Sequence, residues 1–358
     1  MRMVAATAAK VLAAAALAGV LGGTPALAQD GDVNKIMADL REALGGKKLD
    51  SVKTLTVEGR TLRTNAAGTT TEHAFEMAME LPDKYMRKDV LSPMGNMSVY
   101  RTTGFNGDGL INEIDTPPQL SGGGHIVMRF QTVGGPGGQP TTPEQQEAAR
   151  KNLLANTKKD YARIVLGMLG TSPAAYPLTF TYAGVAESPD GKADVIDIKG
   201  EGDFAARLFV DTQTHLPLML SWMDKEPMVV QRMVSGGPGG GAPPPPPPPG
   251  GGHASVAGAG GGNVTFSSSG GNVQVRQGGA PLTPEEQAKI DAQIKEAEAT
   301  RRTVEFRLFY SDYQQVDGVL MPHRFQRSVD GKPTEEVVFE RIKVNSKIDA
   351  KKFTVSKQ

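Results

Sequence analysis

The segment from Thr303 to Phe353 constrains the fold more than any other part of the chain. Val304, Phe306, Leu308 and Tyr310 alternate with Thr303, Glu305 and Arg307, and alternation of this kind puts one set of side chains on each face of a strand. Asp317-Gly318 interrupts the pattern. Val319, Met321, His323, Phe325, Arg327 and Val329 resume it, Asp330-Gly331 interrupts it again, and Val337, Val338, Phe339 and Ile342 carry a third run. Asp-Gly between alternating runs marks a hairpin, because the turn needs positive φ and both residues tolerate it. The segment therefore predicts a three-stranded antiparallel meander.

Similar hairpins are spread along the chain. Thr54 to Thr64 reads as a first strand, and Glu72 to Leu81 is the clearest one, with His73, Phe75, Met77, Met79 and Leu81 on one face. Pro82-Asp83 turns the chain, and Tyr85 to Val90 returns. Asn106-Gly107-Asp108-Gly109 joins Met97–Thr103 to Leu110–Ile114. Four further strands follow at Leu178–Ala186, Ala193–Lys199, Phe204–Asp211 and Leu216–Met223. Closely spaced hairpins indicate an antiparallel sheet rather than βαβ units.

Two helices are written as plainly. Val33, Ile36, Met37, Leu40, Ala43 and Leu44 form one apolar stripe that stops at Gly45-Gly46. Thr142-Pro143, with Gln145 three residues after the cap, opens a second helix that runs to Leu169. A third is predicted over 284–302, where the apolar positions are few. Gly- and Pro-rich inserts occupy 121–140 and 235–281, the latter holding seven consecutive prolines, Pro243 to Pro249. Low-complexity, proline-rich sequence of this kind buries little apolar surface, so it does not offset its own ordering entropy. Only Val264–Phe266 and Val273–Val275 suggest a local hairpin there.

Residues 1–28 read as a signal peptide cleaved after Ala28. Arg2 and Lys10 are its only charges, Val11 to Leu21 form a short apolar core, and Ala26-Leu27-Ala28 is an A-x-A site. That core is shorter than the roughly 20 residues a membrane span needs, so the mature chain, 29–358, is expected to be periplasmic, without a span. The 39 basic and 39 acidic side chains are scattered, which argues against nucleic acid as a partner. The chain has no Cys, so it does not rely on disulfides.

Catalytic motifs are absent: the sequence holds no G-x-S-x-G, H-E-x-x-H or G-x-x-x-x-G-K-[ST]. His73, His125, His215, His253 and His323 fall at no metal-ligand spacing, and His73 and His323 read as hydrogen-bonded sheet residues. Neither an enzyme, a metal nor a cofactor is indicated. The methionines in or beside strands (Met77, Met79, Met86, Met97, Met219, Met223 and Met321) have two readings, ordinary core packing or a pliable surface for varied apolar shapes.

The chain resembles the LolA/LolB-like superfamily of periplasmic outer-membrane lipoprotein carriers and receptors. The residues that carry this are the N-terminal helix leading into the first strand, Leu81-Pro82-Asp83-Lys84-Tyr85-Met86-Arg87, the turn Phe105–Gly109, Asp211–Leu220, Asp317–Phe325 and the closing Ile348–Phe353. Where the carriers have an arginine just before the proline that helps hold their lid closed, this chain has Leu81, with Arg60, Arg63 and Arg87 as stand-ins. The resemblance implies one mainly β domain with helices (α+β): a curved antiparallel sheet, or half-open barrel, covered by helices. It also implies a lipid-binding role in outer membrane lipoprotein sorting, with an acyl chain or lipidated protein as partner. Phe75, Met77, Met79, Phe180, Phe306, Leu308 and Phe325 are the candidate ligand-lining residues. The alternative is a non-catalytic envelope module whose Pro/Gly inserts reach a protein partner.

Overall fold

The computed structural model describes residues 32–64, 70–94, 97–115, 143–226, 229–235, 252–257, 263–269, 272–278 and 299–355, with positions 285, 292, 295 and 296. The first meander holds β1 (Thr54–Thr64), β2 (Thr70–Glu80), β3 (Lys84–Met94), β4 (Met97–Asn106) and β5 (Gly109–Asp115). A second holds β6 (Thr179–Ser188), β7 (Gly191–Lys199), β8 (Ala205–Asp211) and β9 (Pro217–Lys225). The third, predicted from Thr303 onward, holds β14 (Thr303–Val316), β15 (Val319–Val329) and β16 (Lys332–Val344). Both of its turns have positive φ at the Asp and the Gly: 50° and 83° at Asp317-Gly318, 51° and 75° at Asp330-Gly331.

These meanders join into one curved, unclosed sheet of 12 strands in the order β5-β4-β3-β2-β1-β16-β15-β14-β9-β8-β7-β6. Each neighbouring pair is antiparallel. The third meander is the centre of the sheet: β16 pairs with β1 on one side, and β14 with β9 on the other. The architecture is the expected α+β arrangement, mainly antiparallel strands with a few helices.

Two helices cover one face. The first, α1 (Val33–Leu44), is capped by Asp32, whose carboxylate accepts from the Asn34 N–H at 2.9 Å. It buries Leu40 and Leu44. The second, α2 (Pro143–Leu169), lies between β5 and β6 in the chain. Since those strands are opposite edges of the sheet, the connection has to cross it. Of α2, the last third, from Tyr161 onward, does most of the packing: Tyr161, Ala162, Val165, Leu166, Met168 and Leu169 are buried, whereas residues 146–148 at the start are exposed. The Arg41 guanidinium donates to the Leu169 carbonyl at 3.2 Å and ties the two helices together.

One apolar core lies between this face and the helices. A smaller cluster on the outer face gathers Ala78, Met86, Ile111 and Phe353, with Phe353 brought in by a short 3-10 turn, Ala350–Phe353.

Within the 235–281 insert, the described residues depart from the expectation of unstructured sequence and form strands. The hairpin forms, as β12 (Asn263–Ser269) and β13 (Asn272–Gly278), and gains a strand on each side: β11 (Gly252–Ala257) against β12, and β10 (Val229–Ser235) parallel to β13. Backbone hydrogen bonds between neighbouring strands do not require a large apolar core. The proline run, the 121–140 insert, residues 1–28 and most of 284–302 lie outside the described residues; positions 285, 292, 295, 296 and 299 are helical, in agreement with the third predicted helix.

Candidate functional site

Register decides which side chains share the helix-covered face. Leu55 stands opposite Met79, Val57 opposite Met77, and Gly59 opposite Phe75. Across the sheet, Leu308 aligns with Leu220 and Phe306 with Trp222. Tyr310 aligns with Phe325, and Phe180 with Ile198. All seven candidate lining residues (Phe75, Met77, Met79, Phe180, Phe306, Leu308 and Phe325) therefore face the helices. Six are buried and Phe180, on edge strand β6, is half-buried.

Aromatic contacts link them. Phe75 meets Phe339 edge-on at 5.9 Å, Phe339 meets Phe325 at 4.6 Å, and Phe325 meets Tyr310 at 5.7 Å. The row crosses β1 at Gly59, where a Cβ would collide with the Val338 carbonyl oxygen and stand 2.9 Å from Phe75 Cζ, so only glycine fits between β16 and the ring. Trp222 stacks on Phe306 at 5.4 Å. On the other wall, Tyr161 of α2 packs against Tyr85 at 5.5 Å and Phe105 at 5.1 Å.

The cover is pinned to the sheet at a few polar points. Tyr161 donates to the Pro82 carbonyl at 3.1 Å, and Tyr310 donates to the Arg163 carbonyl at 3.2 Å. Burial pushes both phenols well above their ordinary range, so they remain neutral donors. Lys158 pairs with Asp108 at 2.9 Å and Lys159 with Asp203. Both acids are almost fully exposed, and such pairs contribute little. Arg163, buried on α2, holds its guanidinium 4.1 Å from the Trp222 ring and 5.4 Å from Phe204.

Four further aromatic residues belong to this site. Tyr85, Phe105, Trp222 and Phe339, on β3, β4, β9 and β16, were not among the candidates: alternation sorts the residues of each strand into two faces, but only the pairing of these strands with β2 and β14 brings the four onto this face. The methionines divide: Met77, Met79 and Met321 face inward, Met86 joins the outer cluster and Met223 is exposed. His323 meets the Met321 carbonyl at 3.1 Å, as expected of a sheet histidine. His73 departs from that expectation, because its buried Nδ1 has no partner. Among the described residues no acid and histidine cluster suits a metal ion, and no helix is long and apolar enough to cross a membrane.

No family model matches this chain, and no curated protein matches it either. It is similar to the solved structure of a LolA superfamily protein from Nitrosomonas europaea, with 8% identity, a TM-score of 0.41, and coverage of 90% of this chain and 97% of that one. It is also similar to a DUF1329 family protein from Desulfovibrio piger, with 8% identity, a TM-score of 0.41, and coverage of 90% and 98%.

Proposed function

We propose that this chain is an exported, periplasmic carrier or chaperone that holds the acyl chain of a lipid or lipoprotein on the concave apolar face of its sheet, after removal of residues 1–28. The observation that carries this reading is how the face is covered. An unclosed sheet presents an apolar surface, and its cover is α1 with Leu40 and Leu44 and the last third of α2 with six buried apolar side chains, held by two tyrosine hydrogen bonds and weak surface ion pairs. An acyl chain replaces such contacts in kind, since burying each methylene contributes about 0.8 kcal/mol. A chain of about 16 carbons thus gains roughly 12 kcal/mol, against association and ordering costs of about 4–15 kcal/mol. That balance suits a carrier, which has to release its cargo. Arg87 fits the stand-in role for the arginine of the resemblance: its guanidinium lies 4.3 Å from the Phe75 ring and donates to Thr61 Oγ1 at 2.7 Å.

Native mass spectrometry of the exported protein, purified without detergent, tests the reading. Lipid or lipopeptide adducts support it. Their consistent absence, together with no binding of an added fluorescent fatty acid, counts against it.

The four-stranded sheet in the second insert favours a second reading, in which an envelope protein docks there, because unpaired strand edges recruit partner chains. Deleting residues 236–279 then abolishes capture of that partner while the 12-stranded sheet still folds; capture that survives the deletion refutes it.

A further inference from the structure

The concave face changes character along one line of paired residues. From β6 across to β14, Tyr182, Ile196, Leu208, Leu220 and Leu308 are in register. The same line then continues as Arg327, Glu335 and Arg63 on β15, β16 and β1. On β3 and β4, Asp89 faces Arg101, and Arg87 lies two residues from Asp89 on the same face. Four guanidiniums and two carboxylates thus adjoin the apolar surface directly, on its own side of the sheet.

The cluster carries two more cations than anions, and the carboxylates are shared. Glu335 pairs with Arg63 at 2.7 Å and also feels Arg327 and Arg87. Burial opposes its charge, yet these three arginines together hold its carboxyl below the usual range. Asp89 accepts from Arg87 at 3.0 Å and also faces Arg101. Burial depresses the Arg101 guanidinium, and Arg63 adds to this. The outer face is different: Arg60 has Glu72 and Glu340, Arg324 has Glu336, Arg341 has Glu58, and Lys352 has Glu76. Two polar atoms of the inner face, Arg327 Nε and His73 Nδ1, are buried with no hydrogen-bond partner in the protein. Leaving such groups unsatisfied costs more than a made bond returns.

We propose that this arginine cluster is a binding site for an anionic headgroup, a phosphate above all, of the amphiphile whose chain lies on the neighbouring apolar face. The inference rests on the carrier reading and adds to it the class of cargo. Guanidiniums hold phosphate through paired, charge-assisted hydrogen bonds. A phosphate of charge between −1 and −2 offsets the excess of two cations. Leu308 and Arg327 are cross-strand partners, so a head at Arg327 leaves its chain beside Leu308, Phe306 and Trp222 without a bend.

The test titrates the full-length exported protein with dodecyl phosphate, with dodecyl maltoside (the same chain on an uncharged head) and with inorganic phosphate. Calorimetry is run on the parent, on Arg327→Gln and on Arg63→Gln, the last at a side chain already 58% exposed and so of little risk to folding. Dodecyl phosphate is expected to bind about tenfold or more tightly than the maltoside. Either substitution is expected to remove most of that difference while leaving maltoside affinity unchanged. Equal affinity for the two amphiphiles, unmoved by either substitution, overturns the headgroup site and leaves the carrier reading standing. Binding of inorganic phosphate as tight as that of dodecyl phosphate overturns the assignment to an amphiphile. Failure of both amphiphiles to bind overturns the carrier reading, and the headgroup site with it.

Discussion

Replacing Gly167 with valine separates the cover helix from the sheet beneath it. Gly167 lies near the end of α2, and a Cβ there would stand 2.6 Å from Tyr310 Cζ. Tyr310 has little freedom to yield: its ring packs on Phe325 at 5.7 Å and its hydroxyl donates to the Arg163 carbonyl, one turn earlier in the same helix. Overpacking of this kind costs about 1–3 kcal/mol. Valine recovers only about 0.3 kcal/mol through its better helix propensity, so the net loss of stability is about 1–2.5 kcal/mol. If the acyl chain enters by displacing α2, this strain is relieved in the bound state. Affinity for a fluorescent fatty acid should then rise about five- to sixtyfold, by the rule of about 1.4 kcal/mol per factor of ten. Urea unfolding followed by circular dichroism measures the first quantity, and a fluorescence titration the second. A variant that loses the stability but binds the fatty acid no more tightly refutes displacement of α2 as the route of entry.

Arg87→Met should lower stability by about 3 kcal/mol in urea unfolding, because it removes the hydrogen-bonded partner of the Asp89 carboxylate, only 24% exposed, and leaves Arg101 alone to offset that charge. The carboxyl of Glu335 is held below its usual range, so its contribution to stability is present at neutral pH and is lost as the pH falls below about 4.3. The stability gap between the parent and Glu335→Gln should therefore narrow from pH 7 to pH 3.5, and an unchanged gap contradicts the assignment. Phe353→Ala should cost about 3–5 kcal/mol through a cavity in the outer cluster. Fatty-acid affinity should stay the same in that variant, since Phe353 packs on the opposite face of the sheet.

Local chemistry made much of the fold legible. The Asp-Gly turns place β14 to β16, and the Thr-Pro-x-Gln signature places α2 at Pro143–Leu169. Pairing between distant strands has no such marker. Nothing in the alternation of Thr54–Thr64 says that Arg63 will meet Glu335, or that β14 will join β9. The face of each strand was readable, so Tyr85, Arg87 and Asp89 were open to assignment to one side from their spacing alone. The charged cluster as a whole was not, because it forms only when β1, β3, β4, β15 and β16 come together. The methionines show the converse limit. Composition marked seven of them, but parity along each strand turns Met86 and Met223 away from the face that Met77 and Met79 share.

Trp222 offers the most direct test of an acyl chain on the concave face. It is the protein's single tryptophan, it is buried, and it stacks on Phe306 beneath Arg163. A fatty acid brominated along its chain quenches indole fluorescence only at close range, whereas the unbrominated parent compound does not quench. Titration with the brominated acid should quench Trp222 saturably, and the unbrominated acid should compete the effect away. Fluorescence that stays unquenched while the acid demonstrably binds would place the chain elsewhere and contradict the account.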